Sequence, residues 1–155
     1  MPKRKQKRIL IFDAGYHSHS GYYEKLKEHY NLDYCSSIHR FSQLSTMSNF
    51  HYDVVIIQPH MYGHGHFEVP DSQIGQAVYR KFFEHKKHTK VIVWAHSVEA
   101  ALEHWGDTVK IRQIIPVHQH FDFLPVVHGI MTKKNNKKKW LYEKKENFNC
   151  YGWAV

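Results

Sequence analysis

Residues 53–66 read DVVIIQPHMYGHGH, and the fold turns on how that stretch is parsed. Val54, Val55, Ile56 and Ile57 form an unbroken apolar run, mostly β-branched, too short for a typical helix and followed closely by Pro59. Such a run is a strand buried on both faces of a parallel sheet. The chain then turns polar through Gln58, His60, Gly63, His64, Gly65 and His66. In open α/β sheets, ligands sit in the crevice beyond the carboxyl ends of the strands. The stretch therefore marks a strand and the rim of a site together.

Similar apolar runs recur at 9–12 and 91–94, further strands fit 32–35 and 111–117, and helical spacing fills the intervals. After the polar loop YHSHS, Ser20 is the expected N-cap of a first helix, with Glu24 near its positive end. Tyr22, Leu26 and Tyr30 give that helix one apolar face, and Phe41, Leu44 and Met47 outline a second. Ile74, Val78 and Phe82 share a stripe on a third helix, predicted over 72–86. Ser97 caps a fourth, carrying Ala101, Leu102 and Trp105 and ended by Gly106. The last begins near Asp122 and holds Val126, Val127 and Ile130, with Pro125 tolerated in its first turn. This alternation predicts one α/β domain: a five-stranded parallel sheet with helices on both faces and right-handed crossovers. The simplest strand order is 2-1-3-4-5, the flavodoxin-like arrangement.

A chain of 155 residues with 42% hydrophobic residues can bury a continuous core as a single domain. No apolar run approaches the roughly 20 residues that span a bilayer, so no membrane role is expected. The basic start MPKRKQKR leads into only four apolar residues, which is not a signal peptide, and the expected location is cytoplasmic. Cys35 and Cys150 form no metal or redox motif and read as free thiols. The net charge of +8 is concentrated at the ends: residues 1–8 carry +5, residues 131–155 carry +5, and the body 9–130 carries −2. The expected organisation is thus a basic N-terminal tail (1–8), an α/β body (9–130), and a basic linker with an aromatic C-terminal segment (131–155). Lys137, Lys138, Lys139 and Trp140 could hold and stack on a nucleic acid strand. Solvated tails, and a C-terminus packed on the body, account for the same residues.

Fifteen histidines are many for this length, and eight of them fall in the predicted loops at the carboxyl edge of the sheet. Six form His-x-His pairs: His17 with His19, His64 with His66, and His118 with His120. In extended chain, residues two apart point to one side, so each pair could offer two imidazoles to one metal. Asp13, at the same edge, could add an oxygen ligand, and zinc is the natural candidate for such a set. An open zinc position would activate water for a hydrolase or transferase. Surface or packed histidines without chemistry explain the same pattern, since seven more lie on helices and turns. The common nucleotide signatures and the nucleophile elbow are absent, although Ser18 or Ser97 could enter a Ser-His-Asp arrangement. Trp94, at the end of the fourth strand, fits core packing better than ligand stacking.

Four segments carry a resemblance: RILIFDAG (8–15), DVVIIQPHMYGHGHFEV (53–69), VIVWAHS (91–97) and HFDFLPVVHGI (120–130). Together they resemble the receiver domain of two-component response regulators over roughly 8–130. That resemblance implies a regulatory domain, but it maps the phosphorylation residues onto unsuitable side chains. The acidic pair after the first strand falls on Asp13 and Ala14, and the phospho-accepting aspartate on Gln58. The hydroxyl residue after the fourth strand falls on Ala95 and the lysine before the last helix on Gln119. One remaining carboxylate is poor equipment for Mg²⁺, which wants several hard oxygen ligands. The leading expectation is a non-phosphorylated receiver-like module acting through a protein, or a nucleic acid. The others are the metal-dependent enzyme and a phosphate- or nucleotide-sugar-binding domain. The candidate ligand-binding residues are Asp13, Gln58, His60 and His96.

Overall fold

The computed structural model describes residues 6–62, 69–95, 99, 105, 111–116 (backbone only) and 123–132. Its strands are β1 (Arg8–Phe12), β2 (Asn31–Cys35), β3 (Val54–Ile57), β4 (Lys90–Ala95) and β5 (Ile111–Pro116). All four pairings are parallel and the order is β2-β1-β3-β4-β5, as the alternation of elements predicts. β3 occupies 54–57, the stretch that opens the sequence reading, and all four of its residues are buried. It lies at the centre, with Ile9–Phe12 paired on one side and Lys90–Val93 on the other.

Strand side chains alternate between faces, so β1, β3 and β4 each feed two separate cores. Leu10, Phe12, Val55, Ile57, Val91 and Val93 point to one face. There they meet α2 (Ile38–Ser45) and α3 (Ile74–Val78), and the buried Trp105 joins the same cluster. Ile9, Ile11, Val54, Ile56, Ile92 and Trp94 point to the other face, against α1 (Ser20–His29) and α4 (Phe123–Thr132). Each fully buried aliphatic or aromatic side chain contributes about 1.5–3 kcal/mol of transfer free energy. The double-sided burial explains why β1, β3 and β4 read as continuous apolar runs.

Several expected details shift. The N-cap of α1 is His19, not Ser20, and its side chain makes no cap hydrogen bond. Tyr23 and Leu26 are the buried residues of α1; Tyr22 and Tyr30 are only partly covered. α2 is capped by Ser37, whose hydroxyl accepts from the Arg40 N–H at 3.2 Å, and it ends before Met47, which is 49% exposed. The third helix is composite: a 3₁₀ turn (Asp71–Gln73), α3, then a π turn (Tyr79–Phe83) closed by the Glu84 N–H on the Tyr79 carbonyl at 2.9 Å. A π turn adds a residue to the helical period, and the buried position moves from the predicted Phe82 to Phe83. Phe82 still packs edge-on against Phe41 at 4.9 Å. Between β4 and β5 only Glu99 and Trp105 are described, both helical; the expected Ser97 and Asp122 caps lie outside the described residues.

Arg8, counted by charge with the N-terminal tail, is the first residue of β1. Its guanidinium pairs with Asp33 at 2.8 Å, donates to the carbonyls of Asn49 and His51, and lies over the Tyr52 ring. The Tyr52 hydroxyl donates to the same Asp33 oxygen at 2.9 Å. This network borders an open polar groove of about 800 Å³ at the amino edge of β1, β2 and β3.

Gly75 fastens α3 to the loop after β3. Its N–H donates to the Pro59 carbonyl at 2.8 Å, and a Cβ there would stand 2.2 Å from the Gln58 carbonyl oxygen. Gly75→Ala should therefore destabilise the domain by about 1–3 kcal/mol or more through overpacking, read as a lower urea midpoint. Phe83→Ala should cost about 3–5 kcal/mol, clearly more than Phe82→Ala, reversing the ranking that an uninterrupted helix gives.

Candidate functional site

The parallel sheet brings the carboxyl ends of its strands to one edge, and among the described residues there the buried carboxylate is that of Asp13, directly after β1. Its backbone N–H continues the ladder to the Cys35 carbonyl at 3.1 Å, and its carboxylate is 0% exposed. Oδ1 accepts from the Gly15 N–H at 2.8 Å, the short-range turn that Asp side chains favour. Oδ2 accepts from the Tyr23 hydroxyl at 2.6 Å and meets His19 Nδ1 at 2.8 Å. Three hydrogen-bonding groups of the chain replace the water that burial removes. Burial, then the neighbouring Asp13 charge and hydrogen bond, push the Tyr23 phenol well above its usual range.

Aromatic rings wrap this node. The His19 ring stands edge-on to Trp94 at 5.0 Å and near Tyr22 at 6.1 Å. Tyr23 packs against Phe123 at 5.5 Å and Trp94 at 5.7 Å, joining α1 to α4 and β4. Trp94 is fully buried and belongs to the core. Its indole N–H has no hydrogen-bond partner among the described residues. On the far side Tyr16 stacks on Tyr34 at 3.8 Å, and His17 meets both rings edge-on.

The His17–His19 pair is consequently split, one ring against Tyr16 and Tyr34, the other against Asp13 and Trp94. The same-side rule holds for extended chain, whereas the residues between β1 and α1 form turns, with the His19 N–H on the Gly15 and Tyr16 carbonyls. Among the described residues no group of three His, Cys, Asp or Glu side chains is placed to hold a metal. Gln58 follows β3 and is partly exposed, its N–H on the Phe12 carbonyl at 2.9 Å. His60 is exposed beside Tyr62, their rings 4.9 Å apart. His64, His66, His96, His118, His120, Lys137, Lys138, Lys139 and Trp140 lie outside the described residues. Cys35 is a free, buried thiol whose ionisation burial opposes strongly.

Sequence reasoning missed Tyr23 as a partner of Asp13, because the apolar stripe was drawn through Tyr22. A usable signal was present: His19 and Tyr23 stand four apart and share a helix face. Tyr23→Phe should cost about 1.5–3 kcal/mol, the worth of a hydrogen bond to a charged acceptor. The raised phenol also predicts an alkaline limb. Below the usual tyrosine value of 10.0 both folded and unfolded chains keep the proton. Above it the unfolded chain loses the proton first and stability falls. Urea unfolding between pH 9 and 11 should fall less steeply for Tyr23→Phe than for the parent, by up to about 1.4 kcal/mol per pH unit.

No protein-family model and no curated protein matches the chain. Solved structures do. A CheY-like receiver domain from Methanospirillum hungatei is 15% identical with a TM-score of 0.57, covering 82% of this chain and 92% of its own. The beryllofluoride-activated receiver domain of DrrB from Thermotoga maritima is 16% identical with a TM-score of 0.61, over 83% of this chain and 100% of that one. The non-phosphorylated HemR receiver domain from Leptospira biflexa is 14% identical with a TM-score of 0.58, over 84% and 98%. The chain has the flavodoxin-like fold of response-regulator receiver domains.

Proposed function

We propose that the chain is a receiver-like regulatory module that works by binding a protein partner in the cytoplasm, without aspartyl phosphotransfer. The observation that carries this reading is Gln58, the residue directly after β3, where the resemblance to receivers puts the acceptor carboxylate. An amide is not the nucleophile that phosphotransfer to aspartate requires. The use of Asp13 supports the same reading, because its oxygens already accept from Gly15, Tyr23 and His19. A Mg²⁺ ion would have to displace those donors and still find further hard ligands. Among the described residues no helix is long and apolar enough to cross a membrane, which suits a module that meets its partner off the bilayer.

The decisive measurement is intact mass after treatment with acetyl phosphate and Mg²⁺. No hydroxylamine-labile phosphate should appear, and an aspartyl phosphate at Asp13 would overturn the reading. Partner capture should survive replacement of Lys137, Lys138 and Lys139 by glutamine, since the module reading places recognition in the folded body. If capture is instead lost, and binding to single-stranded nucleic acid weakens steeply with salt, the basic end carries the function.

A further inference from the structure

We propose that His19 is a nucleophile whose Nε2 takes an acyl group from an activated, uncharged carbonyl donor, with Asp13 as its positioning residue. The Asp13 carboxylate accepts from Gly15 and Tyr23, and it can only accept from His19 as well. In its neutral form the ring is thereby held in the tautomer that carries its proton on Nδ1, leaving the Nε2 lone pair for reaction. A base or nucleophile oriented by a further hydrogen-bonded group is the arrangement that activated side chains share. Among the described residues the ring makes no second hydrogen bond: although His19 is the N-cap of α1, its side chain makes no cap bond. It keeps 27% of its side-chain surface exposed, so a reagent can reach it.

The surroundings select the electrophile. The ring lies over Gly15, where a Cβ would approach its Cε1 to 3.0 Å, and beside Trp94 and Tyr22. Backbone and aromatic rings suit an uncharged acyl group, whereas a phosphoryl dianion would sit close to the Asp13 charge. In the step, Nε2 attacks the carbonyl carbon, the bond to an aryloxide breaks, and an acyl-imidazolium forms with its Nδ1–H still on Asp13. Water then attacks the acyl carbon and the C–N bond breaks. The carboxylic acid leaves, the imidazole is restored, and the released proton goes to the aryloxide.

The test uses the full untagged chain, with diethyl pyrocarbonate and p-nitrophenyl acetate as probes. His17 is the internal control: it is two residues away, more exposed, and has no carboxylate partner among the described residues. Peptide mapping should show ethoxycarbonylation of His19 about tenfold faster than of His17, the gain expected of an activated nucleophile. His19→Gln should remove about tenfold or more of the p-nitrophenol release, and His17→Gln should leave it unchanged. In Asp13→Asn, the His19 rate should fall to that of His17 while the His17 rate stays constant. If that variant does not fold, the map on the unaltered chain decides alone. Equal or slower modification of His19 relative to His17 would overturn the proposal, as would parental ester hydrolysis by His19→Gln.

Discussion

A carboxylate with no exposed surface, placed where β1 runs out, constrains everything around it. Leaving such a charge unpaired in a low-dielectric interior costs several kcal/mol, so the chain must bring donors to it. It does so with one backbone N–H from the turn and two side chains, His19 and Tyr23, four residues apart. That demand sets where α1 begins, because His19 must stand at the N-cap with its ring turned inward. It also sets how α1 rolls on the sheet, because Tyr23 must point at Asp13. Tyr23 in turn touches Trp94 and Phe123. The roll of α1 is thereby coupled to β4 and α4, and a polar requirement at one atom reaches an entire face of the sheet.

The other face is organised by contact. Gly75 lets α3 approach the Gln58–Pro59 backbone closely, and the π turn then steps the buried face from Phe82 to Phe83. A π turn is a poor hydrogen-bonding solution that persists only where packing outweighs it. Here Phe83 joins a cluster with Phe41, Tyr79 and the strand residues of that face. At the amino edge the sheet is closed differently. Arg8, Asp33 and Tyr52 make a partly exposed network, whose ion pair is worth less per contact than the buried node.

The fold was legible because its strongest signal is a physical necessity repeated in the three central strands, β1, β3 and β4. Ile9–Phe12, Val54–Ile57 and Val91–Trp94 are buried on both faces and so must be apolar, and the intervals between the strands have room for crossover helices. Details decided by tertiary contacts were not. The Ser20 cap fails because a short polar side chain suits an N-cap only if nothing nearby competes, and Asp13 draws the chain so that His19 holds the position. Met47 fits the helical period, but Thr46 ends α2 before the period reaches it. The candidate site was half legible. Asp13 and His19 were both singled out, yet as parallel ligands of a metal, because residue spacing carries no information on whether two polar groups satisfy each other. The turn geometry that splits His17 from His19 is likewise invisible to a rule drawn from extended chain.

The internal donors at Asp13 bear on what a domain with this carboxyl edge can do. A carboxylate that waits for a cation changes its surroundings when the cation or a phosphoryl group arrives. A carboxylate already satisfied by Gly15, His19 and Tyr23 has no such deficit to correct. The turn between β1 and α1 is therefore held by the chain's own donors, and a partner that meets it, as proposed, meets a surface already organised there. The exception is His19, whose ring completes the node through one nitrogen while the other stays free for chemistry. Acylation at Nε2 would leave the Nδ1–H on Asp13 and place a positive charge beside it, strengthening the contact that holds α1. Covalent chemistry at His19 would then reinforce the existing arrangement, because the reacting lone pair belongs to a ring whose other nitrogen is already held by Asp13.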